Sequence, residues 1–214
     1  MKFILALSLL LCLNSLANAQ KIYRYHDKNF TYKLVVDSAL SGDSANYQCH
    51  IKSISIFKRS DQKLLQTISP PENSFFCDMP KEQIFIIEDI NFDNVNDIRL
   101  IQFIPAAPNI PYYYWTFNTK INRFQRDTSL EEITSPEFDH PNKIITSSWR
   151  GGWGNYGAST YKYINDKPVL IKEYEIMLDE NDRTKHITTL KKCIHGKMRL
   201  VKRRVEVRAN DDDN

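Results

Sequence analysis

The most distinctive chemistry in the sequence is an acidic run, residues 88–97, that carries oxygen-bearing side chains at regular intervals. Loops that wrap a calcium ion present hard oxygen ligands at alternating positions, together with one backbone carbonyl. The run supplies side-chain oxygens at relative positions 1, 3, 5 and 9 and a carbonyl at position 7, from Asp89, Asn91, Asp93, Asp97 and Val95 respectively. This spacing predicts a calcium-binding loop that acts as a structural staple. The alternative is an Asx-rich hairpin whose carboxylates bind backbone amides without an ion.

A second candidate site is the glycine-rich segment 149–157, which holds four of the six glycines of the chain. Glycine permits unusual backbone paths, and Trp, Tyr and Arg are enriched at the energetic centres of protein interfaces. The segment therefore predicts an exposed recognition loop with partner-binding residues Trp149, Arg150, Trp153 and Tyr156. The alternative is a wide turn whose rings fold back on the core.

A third cluster is aromatic and spans residues 112–117. Successive residues of a strand point to opposite faces, so Tyr112 and Tyr114 share one side while Tyr113, Trp115 and Phe117 share the other. We interpret the segment as a strand buried on both faces. A platform on which a ligand stacks is the alternative.

Other features of the sequence exclude several classes of protein. It contains neither a Gly-x-Ser-x-Gly nor a His-Glu-x-x-His motif, and we expect that the protein is not an enzyme. The 29 basic and 26 acidic side chains are interspersed and give a net charge of only +3, which argues against a nucleic-acid-binding protein.

The first nineteen residues have the pattern of a cleavable secretory signal peptide, with Lys2, an apolar run and the small-x-small site Ala17-Asn18-Ala19. The apolar run is too short to span a bilayer, so we expect a periplasmic protein with no membrane span that begins at Gln20. In that oxidising compartment Cys49 and Cys77 are the expected disulfide pair, because a short hairpin can return the chain between them. Cys193 would then be free.

The elements that must position these residues are strands. Apolar and polar residues alternate with period two along most of the chain, and a phase slip near Ser53 predicts a bulge. After residue 80 the alternation predicts eight strands, which are Gln83–Glu88, Ile98–Ile104, Tyr112–Phe117, Lys143–Ser148, Ser159–Ile164, Pro168–Ile176, His186–Ile194 and Lys197–Val207. Roughly ten to twelve short strands joined by tight turns predict an all-β protein, either a compact antiparallel sandwich, a barrel or a small propeller-like domain. We expect one domain over residues 20–214, with a possible seam at residues 70–74.

The acidic run continued through Asp97-Ile98-Arg99-Leu100, the aromatic strand ending in Phe117-Asn118, and Phe124 together resemble a bacterial periplasmic family. That family includes immunity proteins against peptidoglycan-hydrolysing effectors and is similar to periplasmic lysozyme inhibitors. The resemblance covers roughly residues 45–175. It implies a propeller-like all-β domain, calcium at the acidic loop, and inhibition by plugging the cleft of a secreted peptidoglycan hydrolase or lysozyme-like effector.

Two other functions compete with the one that the resemblance implies. A periplasmic glycan-binding module would use the aromatic rings to stack sugars. An enzyme of an unrecognised type is the third hypothesis.

Overall fold

The computed structural model describes residues 20–40, 47–152 and 154–207. The predicted signal peptide, residues 1–19, lies outside the described residues, and so does Trp153. Within the described ranges, no helix is long and apolar enough to cross a membrane.

The first sheet is an antiparallel meander built from the N-terminal third of the chain. Its strands are β1 (Lys21–His26), β2 (Phe30–Leu40), β3 (Tyr47–Lys58) and β4 (Leu64–Ile68), and the two-residue β5 (Phe75–Phe76) pairs with the other end of β3. Val35 opposes Ser53 while Val36 opposes Ile51, so Lys52 is an extra residue on β3. The bulge predicted near Ser53 is thereby confirmed.

The second sheet has four antiparallel strands in sequential order. These are β6 (Phe85–Glu88), β7 (Asp97–Ile101), β8 (Tyr112–Asn118) and β9 (Arg123–Arg126). We expected β6 to begin at Gln83, but a one-turn helix, α1 (Lys81–Ile84), precedes it. Pro80 starts that turn, because its carbonyl accepts from the backbone N–H of Gln83 and its fixed φ suits a helix start.

The third sheet is a six-stranded antiparallel meander that follows a single 3₁₀ turn, Thr128–Leu130. Its strands are β10 (Pro136–Asp139), β11 (Ile144–Arg150), β12 (Tyr156–Ile164), β13 (Lys167–Leu178), β14 (Lys185–Ile194) and β15 (Lys197–Val207). The alternation of the sequence predicted all of these strands except β10. That strand begins with Pro136 at the edge of the sheet, where proline breaks no ladder.

Three antiparallel sheets account for the fifteen strands of the described residues, and none of the three closes into a barrel. The predicted all-β class is confirmed. One hydrophobic cluster joins rings from the first two sheets, in which Phe30 lies 4.9 Å from Phe117 and 5.5 Å from Phe124 between ring centroids. The third sheet adds Ile145 to this buried cluster, whereas β13, β14 and β15 add no buried residue to it.

The connection from the first sheet to the second is bound back onto β3. Asn73 is buried, and its amide donates to the carbonyl of Ile51 at 3.0 Å and accepts from the Ile51 N–H at 2.7 Å. A disulfide joins Cys49 on β3 to Cys77, with a Cα–Cα distance of 5.1 Å. The segment 70–74, where we placed a possible seam, is therefore attached to the first sheet.

Candidate functional site

The acidic loop connects β6 to β7, and its side chains bind the loop's own backbone. The two carboxylate oxygens of Asp89 accept from the N–H groups of Asp93 and Asn94 at 3.1 and 2.9 Å. Asp93 in turn accepts from the N–H of Val95 at 2.8 Å. Asn94 has φ +67°, a left-handed conformation that asparagine tolerates better than most residues. The loop is thus held by a set of Asx turns.

Asp97, the last residue of the predicted ligand set, is fully buried at the start of β7. One carboxylate oxygen accepts from the N–H of Ile90 at 3.1 Å, and the other accepts from the N–H of Phe117 at 2.7 Å. Burial raises the pKa of Asp97 to about 7, against the opposing effect of these two hydrogen bonds. Asp97 therefore ties the acidic loop to the neighbouring strand β8.

The fit of the acidic loop to a calcium ion depends on where its oxygen atoms point. Asp89, Asp93 and Asp97 direct oxygens at backbone amides, as the Asx-rich hairpin alternative requires. Across the described ranges, no three His, Cys, Asp or Glu side chains converge as metal ligands. Calcium binding by Asp89, Asn91, Asp93, Val95 and Asp97 stays a prediction, and the function proposed below does not depend on it.

The aromatic strand β8 is buried on both faces, as we interpreted it. Tyr112 and Tyr114 are buried on one side, and Trp115 and Phe117 are buried on the other. The guanidinium of Arg99 lies 4.6 Å from the centroid of Tyr112, and its Nε is 2.6 Å from a carboxylate oxygen of Glu88. Because these rings are packed inside the protein, they offer no platform for a ligand.

The glycine-rich segment forms the turn between β11 and β12, at the end of the third sheet. Arg150 ends β11 and Tyr156 begins β12, and the two residues are directly opposed. Their side chains therefore share one face of the sheet. Arg150 is exposed, and 42% of Tyr156 is accessible to solvent. The structure thus brings two of the four predicted partner-binding residues together.

Trp149 lies on the other face of the sheet, opposite Gly157. Its indole packs so closely that a Cβ on Gly157 would lie 2.7 Å from the ring and 2.6 Å from the carbonyl oxygen of Tyr174. Trp149 is half-buried and supports the turn from below. The fourth predicted residue, Trp153, lies in the part of the chain that the structure leaves undescribed.

Two asparagines hold the base of this turn. The side-chain amide of Asn109 donates to the carbonyl of Arg150 at 2.7 Å and accepts from its N–H at 2.8 Å. Asn155 accepts from the N–H of Leu178 at 2.9 Å through its side chain and from the N–H of Gly151 at 2.9 Å through its carbonyl. We did not identify Asn109 from the sequence, because it is 41 residues from Arg150 and no spacing signals the contact.

Shallow grooves flank the Arg150–Tyr156 pair. Both grooves are bounded by Pro108, Arg150 and Tyr156, and they enclose about 260 and 460 Å³. Trp149 also lines the smaller groove. A guanidinium and a phenol beside an apolar wall can bind a carboxylate or stack against a flat apolar ring.

Comparison with known proteins extends the description of the fold. No family model matches the sequence, and no curated protein matches it. A solved structure of a Xanthomonas protein related to a type IV secretion system is similar, with a TM-score of 0.62 and 18% identity over 86% of this chain and 95% of that chain. The chain therefore shares its fold, over most of its length, with that Xanthomonas protein.

Proposed function

We propose that this chain is an extracytoplasmic immunity-type inhibitor that binds a cell-wall glycan hydrolase and blocks its cleft with the β11–β12 turn. The observation that carries the proposal is the placement of Arg150 and Tyr156. The two side chains stand next to each other on the strand ends that flank the turn, exposed to solvent, at the end of a sheet.

Hydrogen bonds hold both ends of the turn without a partner. Asn109 clamps the backbone of Arg150 from one side, and Asn155 binds Leu178 from the other. Gly154 has φ +81° and would place a Cβ 2.8 Å from Leu178, so the turn packs tightly on β13. A preorganised loop loses less conformational entropy on binding, which leaves more of the interaction free energy for affinity.

The chemistry of the pair matches that of a glycan-hydrolase cleft. Such enzymes carry two catalytic carboxylates on either side of the scissile bond. Arg150 would bind one of them through charge-assisted hydrogen bonds, while the ring of Tyr156 would fill space that a sugar otherwise occupies. Both interactions gain strength as the cleft closes around the turn and excludes water.

The cellular context supports the same function. A disulfide between Cys49 and Cys77 is typical of proteins in an oxidising compartment, where an enzyme that attacks the cell wall acts. The protein of similar fold is related to a type IV secretion system, and immunity proteins are partners of secreted effectors.

The test is affinity capture from a periplasmic extract, followed by calorimetry with the captured enzyme. Arg150→Ala and Tyr156→Ala should each lose about 2 kcal/mol of binding free energy, about thirtyfold in Kd, while the fold stays intact. Arg123→Ala and Ile121→Ala are matched controls, because both residues are exposed at the β8–β9 hairpin, away from the turn. The proposal is wrong if both turn variants bind the enzyme like the parent and circular dichroism shows them folded.

A second candidate function is glycan binding, and the groove between Pro108, Trp149 and Tyr156 favours it. An apolar wall next to aromatic rings can stack a sugar ring. Sedimentation with purified peptidoglycan separates the two functions. Retention of the parent on peptidoglycan, lost in Tyr156→Ala and accompanied by no stoichiometric protein partner, would favour the glycan-binding module.

A further inference from the structure

The last three strands of the third sheet form an open surface. Of the fifteen large hydrophobic side chains that are exposed in the described residues, eight lie on β13–β15: Val169, Tyr174, Met177, Ile194, Leu200, Val201, Val205 and Val207. None of the residues of these strands belongs to the buried core. Unlike the first two sheets, this part of the molecule is not covered by another sheet.

One face of this sheet is strongly basic. Directly opposed residues share a face, and three rows of opposed residues cross from β11 to β15. The rows are Thr146–Thr160–Lys172–Lys192–Arg199, Ser148–Ala158–Tyr174–Leu190–Lys202 and Arg150–Tyr156–Ile176–Thr188–Arg204. These fifteen positions, which we name the basic face, hold six cations and no acidic residue. Ser147 and Ser159, which point the other way, are buried, so the basic face is the outward one.

The basic charge of this face carries a cost in stability. Lys192 is directly opposed to Lys172 on one side and to Arg199 on the other. Like charges in opposed positions destabilise a sheet, and no acidic residue separates these three. A chain with 26 acidic side chains could readily have placed one there. A binding partner of opposite charge would offset this repulsion.

The acidic residues of the same strands lie elsewhere. Glu173 and Glu175 are on the opposite face, where both bind Lys191, at 2.7 and 2.9 Å. Along the basic face, the nearest acids are at its margins. Glu137 on β10 opposes Thr146, and Glu206 on β15 lies 2.9 Å from Arg204. The acidic residues of these strands are thus confined to the opposite face and to the margins, whereas cations lie on both faces.

We propose that the basic face docks onto an acidic protein surface, namely the surface that surrounds the cleft of the hydrolase entered by the β11–β12 turn. This inference rests on the function proposed above and names the charge of the partner. Arg150 and Tyr156 belong both to that turn and to the basic face, so the two surfaces are continuous. Neighbouring strands are about 5 Å apart, so Arg204 extends the contact by roughly 20 Å from Arg150.

The composition of the face fits a protein interface. Tyr174, Ile176 and Leu190 form an apolar centre, and the cations stand around it, as hydrophobic centres and polar rims do in protein complexes. Ile176 and Leu190 are half-buried, whereas the ring of Tyr174 is exposed. The most exposed apolar side chain of this region, Val207, is not on the basic face. It is opposed to Lys185 and lies on the other face, beside the row formed by Met177, Ile187 and Val205.

The first experiment uses labelled poly-L-glutamate as an acidic polypeptide probe and phosphatidylglycerol vesicles as an anionic lipid probe. The test variant is Lys192→Glu/Lys202→Glu, and the control is Lys28→Glu/Lys63→Glu, which makes the same charge change on exposed turns of the first sheet. We expect the parent and the control to bind poly-L-glutamate similarly and the test variant to bind at least about tenfold more weakly. The test variant should remain folded, because Lys192→Glu replaces two repulsions with two attractions.

The results of the probes separate the alternatives. Equal weakening in the test and control variants would show that only net charge matters, and it would overturn the proposal. Binding of the parent to the vesicles, lost in the test variant while poly-L-glutamate binding is unchanged, would overturn it in favour of a membrane surface. Neither probe depends on the hydrolase, so the basic face is judged here independently of the proposed function.

The second experiment measures association kinetics with the captured hydrolase. Charges at the rim of an interface act mainly on the association rate, so the test variant should associate about tenfold more slowly and lose most of its salt dependence. Tyr156→Ala should instead dissociate faster. If Tyr156→Ala weakens binding while Lys192→Glu/Lys202→Glu associates like the parent, the basic face is not part of the contact and the inhibitor function stands.

Discussion

Asp97 shows how one side chain can decide the local structure of this protein. It is fully buried, and each of its carboxylate oxygens accepts a backbone N–H, from Ile90 in the acidic loop and from Phe117 on β8. An ionised carboxylate accepts hydrogen bonds through both of its oxygen atoms, whereas the amide of Asn, which has the same shape, has one accepting oxygen and one donating NH₂ group. Asp97 therefore connects the acidic loop to β8 through contacts that involve no ion.

Asp97→Asn should destabilise the protein by about 2 kcal/mol, because its NH₂ group would face a backbone N–H and leave that buried donor without an acceptor. Urea unfolding at pH 8.5 measures the change, because burial raises the pKa of Asp97 to about 7 and the carboxyl is ionised only above that pH. Asp93→Asn is the control, since Asp93 is on the exposed side of the same loop and should cost under about 1 kcal/mol. Similar losses in the two variants would show that Asp97 has no special structural role.

At the scale of strands and turns, much of the fold could be predicted because alternation records which face of a strand is buried. The predicted strand 112–117 became β8, and β15 begins and ends where we expected. The helix α1 was missed because four residues are too few to show a helical period. Strand β10 was missed because a proline such as Pro136 argues against a strand unless that strand is known to lie at the edge of its sheet.

The candidate site was only partly predictable, for a similar reason. The glycines and rings of the 149–157 segment indicated a recognition loop, but only the strand register shows that Arg150 and Tyr156 share a face and that Trp149 does not. The clamp from Asn109 is a long-range contact without a local pattern. In the sequence, the basic runs Lys191-Lys192 and Lys202-Arg203-Arg204 indicate only a solvated edge strand, because rows of opposed cations become visible only when the strands are aligned.

Binding of calcium by the acidic loop can be tested through its effect on the stability of the folded protein. An ion that binds only the folded protein raises its free energy of unfolding by RT ln(1 + [L]/Kd), about 2.7 kcal/mol when calcium exceeds Kd a hundredfold. We expect calcium to raise the melting temperature of the parent, and Asp93→Ala to lose that rise because it removes a central ligand. The same melting temperature for the parent in calcium and in chelator would leave the loop as the Asx-turn hairpin seen in the structure.

At the scale of the whole molecule, the packing is divided between two kinds of surface. The first two sheets and β11 enclose the hydrophobic core, whereas β13–β15 add no buried residue to it and expose eight large hydrophobic side chains. The β11–β12 turn lies where these two parts meet, because β11 contributes to the core and β12 pairs with β13. The proposed contact surface therefore begins at the edge of the core and continues onto the last three strands.

The stability of the whole fold should depend on the disulfide, because it crosses between the long strand β3 and the segment that leads into the second sheet. Cys49 and Cys77 are separated by 28 residues. Closing a loop of that length in the unfolded chain is expected to stabilise the folded state by about 3 to 4 kcal/mol. Reduction of the parent, or Cys49→Ser/Cys77→Ser, should lower the free energy of urea unfolding by that amount.

Cys193→Ser is the control for the disulfide prediction, since Cys193 is half-buried on β14 and lies outside the bridge. Peptide mapping under non-reducing conditions should recover the linked peptides; alkylation of both cysteines in native protein, or a reduced form as stable as the oxidised one, would contradict the prediction.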